Sequence, residues 1–162
     1  MERNQDFGTY HRVDGIPEAR GTIIDIFLNG VTPCNATVLA IPGSHKDGLF
    51  SEAIIDENVV HHSAAAKFCF DITDDTLSHL VNRKGIKSLE GLAGTMLLMN
   101  MAVVHGSSVN ISPLRPYLLY VKVSAVDNRG KSFARQWYYA ARDFNPLVEL
   151  GQDCRLSYYK TQ

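Results

Sequence analysis

Two side chains in residues 103–116, Val-Val-His-Gly-Ser-Ser-Val-Asn-Ile-Ser-Pro-Leu-Arg-Pro, are of types that bind metals and anions: His105 and, ten residues later, Arg115. A neutral imidazole is a ligand for a borderline metal such as iron. A guanidinium can grip a carboxylate through two parallel hydrogen bonds. His105 emerges where the apolar run of residues 95–104 stops. That run reads as a strand buried on both faces, or as two short strands broken near Asn100. Gly106, Ser107 and Ser108 suit a tight turn or bulge, and Pro113 breaks the loop ahead of Arg115. On this segment alone the residues suit a structural histidine in a turn beside a surface arginine better than a metal ligand and an anion clamp, and both readings stay open.

The elements that must position these residues carry mostly β signals. Residues 21–28, Gly-Thr-Ile-Ile-Asp-Ile-Phe-Leu, are rich in β-branched side chains, and residues 36–41 form an apolar run cut off by Pro42-Gly43. Residues 117–126 alternate Leu119, Val121, Val123 and Ala125 against Tyr120, Lys122 and Ser124, which predicts a core face of the first set and a wetter face of the second. The turn 127–130 and the run 132–141 then predict a hairpin. Residues 73–84 predict a helix: Leu77, Leu80 and Val81 share a face, Thr73 or Asp74 can cap it, and Gly85 follows Arg83-Lys84. Residues 43–69, with Ile54-Ile55 and His61-His62, are the least regular part and predict a substrate lid. Short strands, turn signals and one short helix in an insertion predict a mainly β, antiparallel jelly roll over one domain, residues 1–162.

Composition excludes several function classes. The chain is 45% hydrophobic and 20% charged, with sixteen basic against seventeen acidic residues and a net charge of −1. These are values of a folded globular chain with no electrostatic footprint for nucleic acid or an anionic membrane surface. No apolar run reaches the ~18 residues of a membrane span, and the first residues do not resemble a secretory signal, so a cytoplasmic location is expected. Cys34, Cys69 and Cys154 are odd in number and widely spaced, as reduced thiols are. His61-His62 read as surface residues because consecutive side chains diverge. His45 reads as a loop-fixing residue and His79 as a solvated one. Ser44 and His45 are adjacent and cannot supply nucleophile and base geometry, which removes a serine hydrolase.

Four stretches in register give the chain a resemblance to a known family. Asp6-Phe-Gly-Thr-Tyr-His-Arg-Val-Asp-Gly-Ile-Pro17, Ala40-Ile-Pro-Gly-Ser-His-Lys46, the segment His105-Gly-Ser through Asn110 and Pro113 to Arg115, and Ala140-Ala-Arg-Asp-Phe-Asn-Pro146 resemble motifs of the phytanoyl-CoA dioxygenase and ectoine hydroxylase family. These are Fe(II)- and 2-oxoglutarate-dependent oxygenases. The resemblance implies a double-stranded β-helix of the cupin-like jelly-roll type. It implies Asp6 and His105 as metal ligands, Arg115 and Ser107 as the clamp on the far carboxylate of 2-oxoglutarate, and Phe7 and Tyr10 as walls of a small-molecule pocket.

The departures from the family pattern are as informative. The proximal motif of such enzymes reads His-x-Asp, and this chain has Asn4 where that histidine belongs. An amide oxygen is a poorer donor to Fe(II) than an imidazole nitrogen, so an impaired metal site is expected. His11 is no substitute if residues 6–11 form a strand, because it then points away from Asp6. Tyr10 stands where tryptophan is usual, Asn35-Ala36 where Asn-Gly is common, and the spacing to Arg115 is one residue short of some relatives. The family resemblance also implies a preceding portion, so the chain is expected to be the C-terminal part of the jelly roll, without its N-terminal strands. An uncovered sheet edge then invites homodimerisation. Two hypotheses follow: a hydroxylase of a small molecule, or a catalytically silent relative that binds a small acid or a partner chain.

Overall fold

A computed structural model describes residues 3–50, 52–54, 69–131 and 145–147. Nine strands and two helices follow in the order β1 (Arg3–Asn4), α1 (Asp6–Arg12), β2 (Gly21–Phe27), β3 (Val38–Ala40), β4 (Glu52–Ile54), β5 (Cys69–Asp71), α2 (Asp74–Lys84), β6 (Lys87–Leu89), β7 (Met96–Asn100), β8 (His105–Ser107) and β9 (Leu118–Ser124). A short 3-10 turn covers Ser44–Lys46. The strands form an antiparallel sheet β1-β8-β3-β6, a second antiparallel sheet β7-β2-β9 and the hairpin β4-β5. From β6 onward the chain changes sheet at each strand, β6 to β7 to β8 to β9, as a jelly roll requires. One apolar cluster joins the two sheets: Phe7 from α1, Ile23 from β2, Ala40 from β3, Met99 from β7, and Met101, Ala102 and Val103. A second cluster, Ile41, Ile72, Leu80 and Val104, seats α2 against the same scaffold.

Helix α2 forms where the sequence predicts it. Thr73 caps it by accepting from the Thr76 amide, Leu80 is its buried residue, and Gly85 closes it at φ 71°. A positive φ there costs glycine little. No helix among the described residues is long and apolar enough to cross a membrane. Residues 55–68 and 132–144 lie outside the described residues, and with them His61-His62, the strand predicted at 132–141 and most of the predicted lid.

Three expectations are corrected. Residues 6–12 form a helix, not a strand. Gly8, Thr9 and Tyr10 are indifferent helix formers, and tertiary contacts hold the turn: the Phe7 amide donates to the Met101 carbonyl at 2.8 Å. The run 95–104 is indeed broken after Asn100, but its first half is not buried on both faces, since Met96 and Leu98 are 58% and 63% exposed. Third, the two faces of β9 are exchanged. Lys122 pairs with Ile23 and Tyr120 with Asp25, and directly paired residues share a face. Gly21, Ile23, Asp25 and Phe27 are the buried residues of β2, so Tyr120 and Lys122 lie on its core-side face and Leu119 and Val121 on the other, although Tyr120 is still 46% exposed.

Candidate metal centre

The two sheets converge on a polar cluster built from opposite ends of the chain. In the first sheet Asn4 pairs with His105 and His105 with Ala40, a row whose last member is in the core, so Asn4 and His105 face the interior side by side. Asp6, the first residue of α1, brings its carboxylate to the same place: His105 Nε2 lies 3.9 Å from Asp6 Oδ2, although ninety-nine residues separate them. The structure therefore brings together Asn4, Asp6 and His105.

Two polar residues that the sequence motifs alone do not single out fix this corner. Gln5 is fully buried between Asn4 and Asp6, and its amide donates to the carbonyls of Ala102 at 2.7 Å and Gly48 at 2.9 Å while accepting from the Phe50 amide at 2.7 Å. The junction of β1 and α1 is thereby tied to two other segments. Ser44, in the Pro-Gly-Ser-His-Lys turn, accepts from the Val104 amide at 2.9 Å and donates to the Ile41 carbonyl at 2.8 Å, holding the residue just before His105. In that turn the serine hydroxyl makes the fixing contacts, whereas a buried His45 Nδ1 has no hydrogen-bond partner. Arg3 anchors β1 further, through Asp71 at 3.1 Å and through Asp74.

The second sheet supplies the rest of the cluster. Lys122 Nζ lies 3.0 Å from Asp6 Oδ1, and the Tyr120 hydroxyl donates to Asp6 Oδ2 at 2.7 Å. The ammonium sits over the rings of Tyr10 and Tyr120, 4.9 and 4.8 Å from their centres. Burial, and then the neighbouring Asp6 carboxylate, push the Tyr120 hydroxyl well above its ordinary pKa. Asp25, 2% exposed, has an Oδ1 without a partner. Burial raises its pKa, the Asp6 charge adds to this, and His105 and Lys122 oppose it. Asp25, Tyr120 and Lys122 were legible only as an isolated acid in an apolar strand and as the polar half of an alternating one.

Of the remaining predicted site residues, Phe7, Tyr10 and Ser107 belong to elements that meet at this cluster, whereas the contact of Arg115 is with Asn29. Ser107 is exposed but two residues beyond His105 on β8, and so on the same face. Arg115 is exposed in the segment before β9, where its carbonyl accepts from Asn29 at 2.8 Å. Phe7 is part of the core and packs on the His11 ring at 5.2 Å, while Tyr10 faces Lys122. His11 is turned outward to the Ile16 carbonyl.

The donor set fits a divalent metal ion. His105 Nδ1 lies 2.9 Å from the Val103 carbonyl, which can only accept, so Nδ1 carries a proton and Nε2 is the ring nitrogen beside Asp6. Asn4 Oδ1 is buried without a partner, as an oxygen donor awaiting a cation would be. The set is one imidazole, one carboxylate and one neutral amide. No group of three His, Cys, Asp or Glu side chains that could hold a metal occurs among the described residues.

Known proteins share this arrangement of chain. A family model described as phytanoyl-CoA dioxygenase matches residues 3–115. An ectoine dioxygenase of Sphingopyxis alaskensis is 32% identical over 90% of this chain and 52% of its own length. An L-proline trans-4-hydroxylase of Streptomyces griseoviridis is 29% identical over 93% of this chain and 58% of its own. The crystal structure of EctD from S. alaskensis with bound Fe superposes with a TM-score of 0.71 at 26% identity, covering 93% of this chain and 49% of that one. The form with 2-oxoglutarate and 5-hydroxyectoine gives 0.67 at 27% identity, over 87% and 45%. The chain thus spans about half the length of the curated relatives it matches. With the proximal and distal motifs meeting in one interior corner and the family model running through both, the chain belongs to the phytanoyl-CoA dioxygenase family.

Proposed function

We propose that this chain carries the metal- and co-substrate-binding portion of a hydroxylase dependent on Fe(II) and 2-oxoglutarate and acting on a small polar molecule. The observation that carries the reading is the approach of Asp6 to His105 Nε2, the ring nitrogen that the Val103 carbonyl leaves unengaged. An ectoine dioxygenase and an L-proline trans-4-hydroxylase among the relatives, and two structures of EctD, one with bound Fe and the other with 2-oxoglutarate and 5-hydroxyectoine, support the same chemistry and substrate class.

Asp6 and His105 would hold the metal, with the Asn4 amide oxygen beside them. When bound, iron would supply the redox chemistry by which dioxygen gives one oxygen atom to the succinate formed, with carbon dioxide, from 2-oxoglutarate and the other to a substrate C–H that becomes C–OH. The chain's own residues bind and orient. Val103 fixes the His105 tautomer, Gln5 and Ser44 hold the two ligand-bearing segments, and the Ile23, Met99 and Met101 core keeps water from one side. Ser107 and Arg115 would take the far carboxylate of the co-substrate, Arg115 through its planar fork, and Tyr10 would form the substrate-side wall.

Anaerobic Fe(II) titration followed by succinate assay tests the reading. The expected result is weak iron binding by the chain as it stands, abolished in Asp6→Ala, and tighter in Asn4→His by ~10–100-fold, the range that changing a metal's supporting groups commonly spans. Iron affinity indifferent to all of Asn4, Asp6 and His105 would overturn it.

A further inference from the structure

We propose that the Lys122 ammonium is the built-in counter-ion of Asp6, occupying the carboxylate in the metal-free protein and competing with a divalent metal for it. The inference rests on the reading of Asn4, Asp6 and His105 as metal donors.

Pairing of β9 with β2 leaves Lys122 no outward alternative. It is opposite the fully buried Ile23, so its side chain rises into the interior, where the Asp6 oxygen is 3.0 Å from its nitrogen. Tyr10 and Tyr120 offer their faces to the same ammonium, and a ring face attracts a cation most where water is excluded. The Tyr120 hydroxyl takes the other Asp6 oxygen, so both carboxylate oxygens are engaged from β9. These contacts amount to a receptor for one positive charge, and the chain fills it from within.

Lys122 and Tyr120 each use one lone-pair site, one on either Asp6 oxygen, and a metal that coordinates Asp6 has to share the carboxylate's single negative charge with the ammonium. The ammonium would also stand within a few ångströms of a divalent ion, and like charges so close in a buried site repel strongly. Repulsion between the two cations therefore sets metal binding against the Asp6–Lys122 pair and favours swinging the lysine away. The pair stabilises the metal-free fold and lowers metal affinity together with the Asn4 substitution.

The test uses Co(II) alone, which needs no oxygen or co-substrate. Lys122→Met keeps the length of the stem and removes the charge. It is expected to bind Co(II) roughly tenfold or more tightly than the wild type, in line with the effect of groups touching a metal ligand. Its metal-free form should melt lower, and Co(II) should raise its melting temperature more than that of the wild type. Should the variant fail to fold, reductive methylation of the wild type followed by peptide mass mapping decides: Co(II) should increase the labelling of Lys122. A wild type and a Lys122→Met variant of equal Co(II) affinity, or Lys122 labelling indifferent to Co(II), would overturn the proposal while leaving the metal centre standing. If the variant binds Co(II) no better but loses 2-oxoglutarate, Lys122 is a co-substrate contact and the proposal falls. If neither chain binds Co(II) or Fe(II), the metal reading falls and the competition with it.

Discussion

Replacing Gln5 with leucine would remove the amide that latches the Asp6 end of α1, with little change in side-chain volume. Three hydrogen bonds disappear, to the Ala102 carbonyl, the Gly48 carbonyl and the Phe50 amide, at 2.7, 2.9 and 2.7 Å. Gly48 is exposed and its carbonyl can turn to water. The Ala102 carbonyl is buried and the Phe50 amide partly so, and each buried group left unpaired costs about 1–3 kcal/mol. A loss of about 2–4 kcal/mol is expected, a large share of the roughly 5–15 kcal/mol that holds a domain folded. For a chain of this length that lowers the melting temperature by about 5–15 °C. Circular dichroism melts measure it, with Gln5→Glu as a control that keeps the shape but places a carboxylate against two carbonyls and should be at least as destabilised. Co(II) affinity, measured at a temperature where the variant is folded, should fall too, because Asp6 follows directly on Gln5. A Gln5→Leu melt within about 2 °C of the wild type would refute the reasoning, since the predicted loss is several times larger.

Other outcomes follow from single residues. Ala36 sits at φ 66°, a left-handed conformation costing a residue with a Cβ roughly 1–2 kcal/mol; Ala36→Gly should relieve it and raise stability by about 0.5–1 kcal/mol after the added freedom of the unfolded chain, read from urea unfolding. Asp25 has its folded pKa raised by burial, so it binds more protons folded than unfolded and the fold loses stability as pH rises through the ordinary carboxylate value to the raised one. Asp25→Asn should therefore raise the metal-free melting temperature at neutral pH, with a difference that shrinks as pH falls below the ordinary carboxylate range; a pH series of melts checks it. Arg115→Ala should abolish 2-oxoglutarate binding and Arg115→Lys weaken it, because a point charge cannot reproduce the fork, and calorimetry separates the three proteins.

What the sequence discloses about this fold is what is decided locally. The cap at Thr73, the Leu77, Leu80 and Val81 face and Gly85 define α2 within a dozen residues, and the structure agrees. The break at Asn100 is also local: its side chain accepts from the Ala102 amide and turns the chain toward His105. Helix α1 is different. Its seven residues have no strong helical preference, and they turn because Gln5 and the Met101 carbonyl, one adjacent and one distant in sequence, receive them. The convergence of Asp6 and His105 was legible through motif resemblance and not through any spacing, since strands from both ends of the chain must pair to produce it.

The inverted faces of β9 show why the rest of the site stayed hidden. Alternation identifies two faces of a strand, and the choice of inside normally goes to the apolar one because burial favours it. Here the interior at β9 has a charged neighbour to satisfy. Asp6 enters from α1 and would be a buried, uncompensated carboxylate without the Lys122 ammonium and the Tyr120 hydroxyl. Turning β9 over would place Leu119 and Val121 against Asp6 and remove both of its partners on that strand. The face of Tyr120 and Lys122 thus answers a charge that another element brings, and Leu119 and Val121 take the opposite face of the strand. Positions where local rules give way in this manner are where function is to be sought. In this chain they are Asn4 and Asp25 with their unpartnered oxygens, and Lys122 on the carboxylate between them.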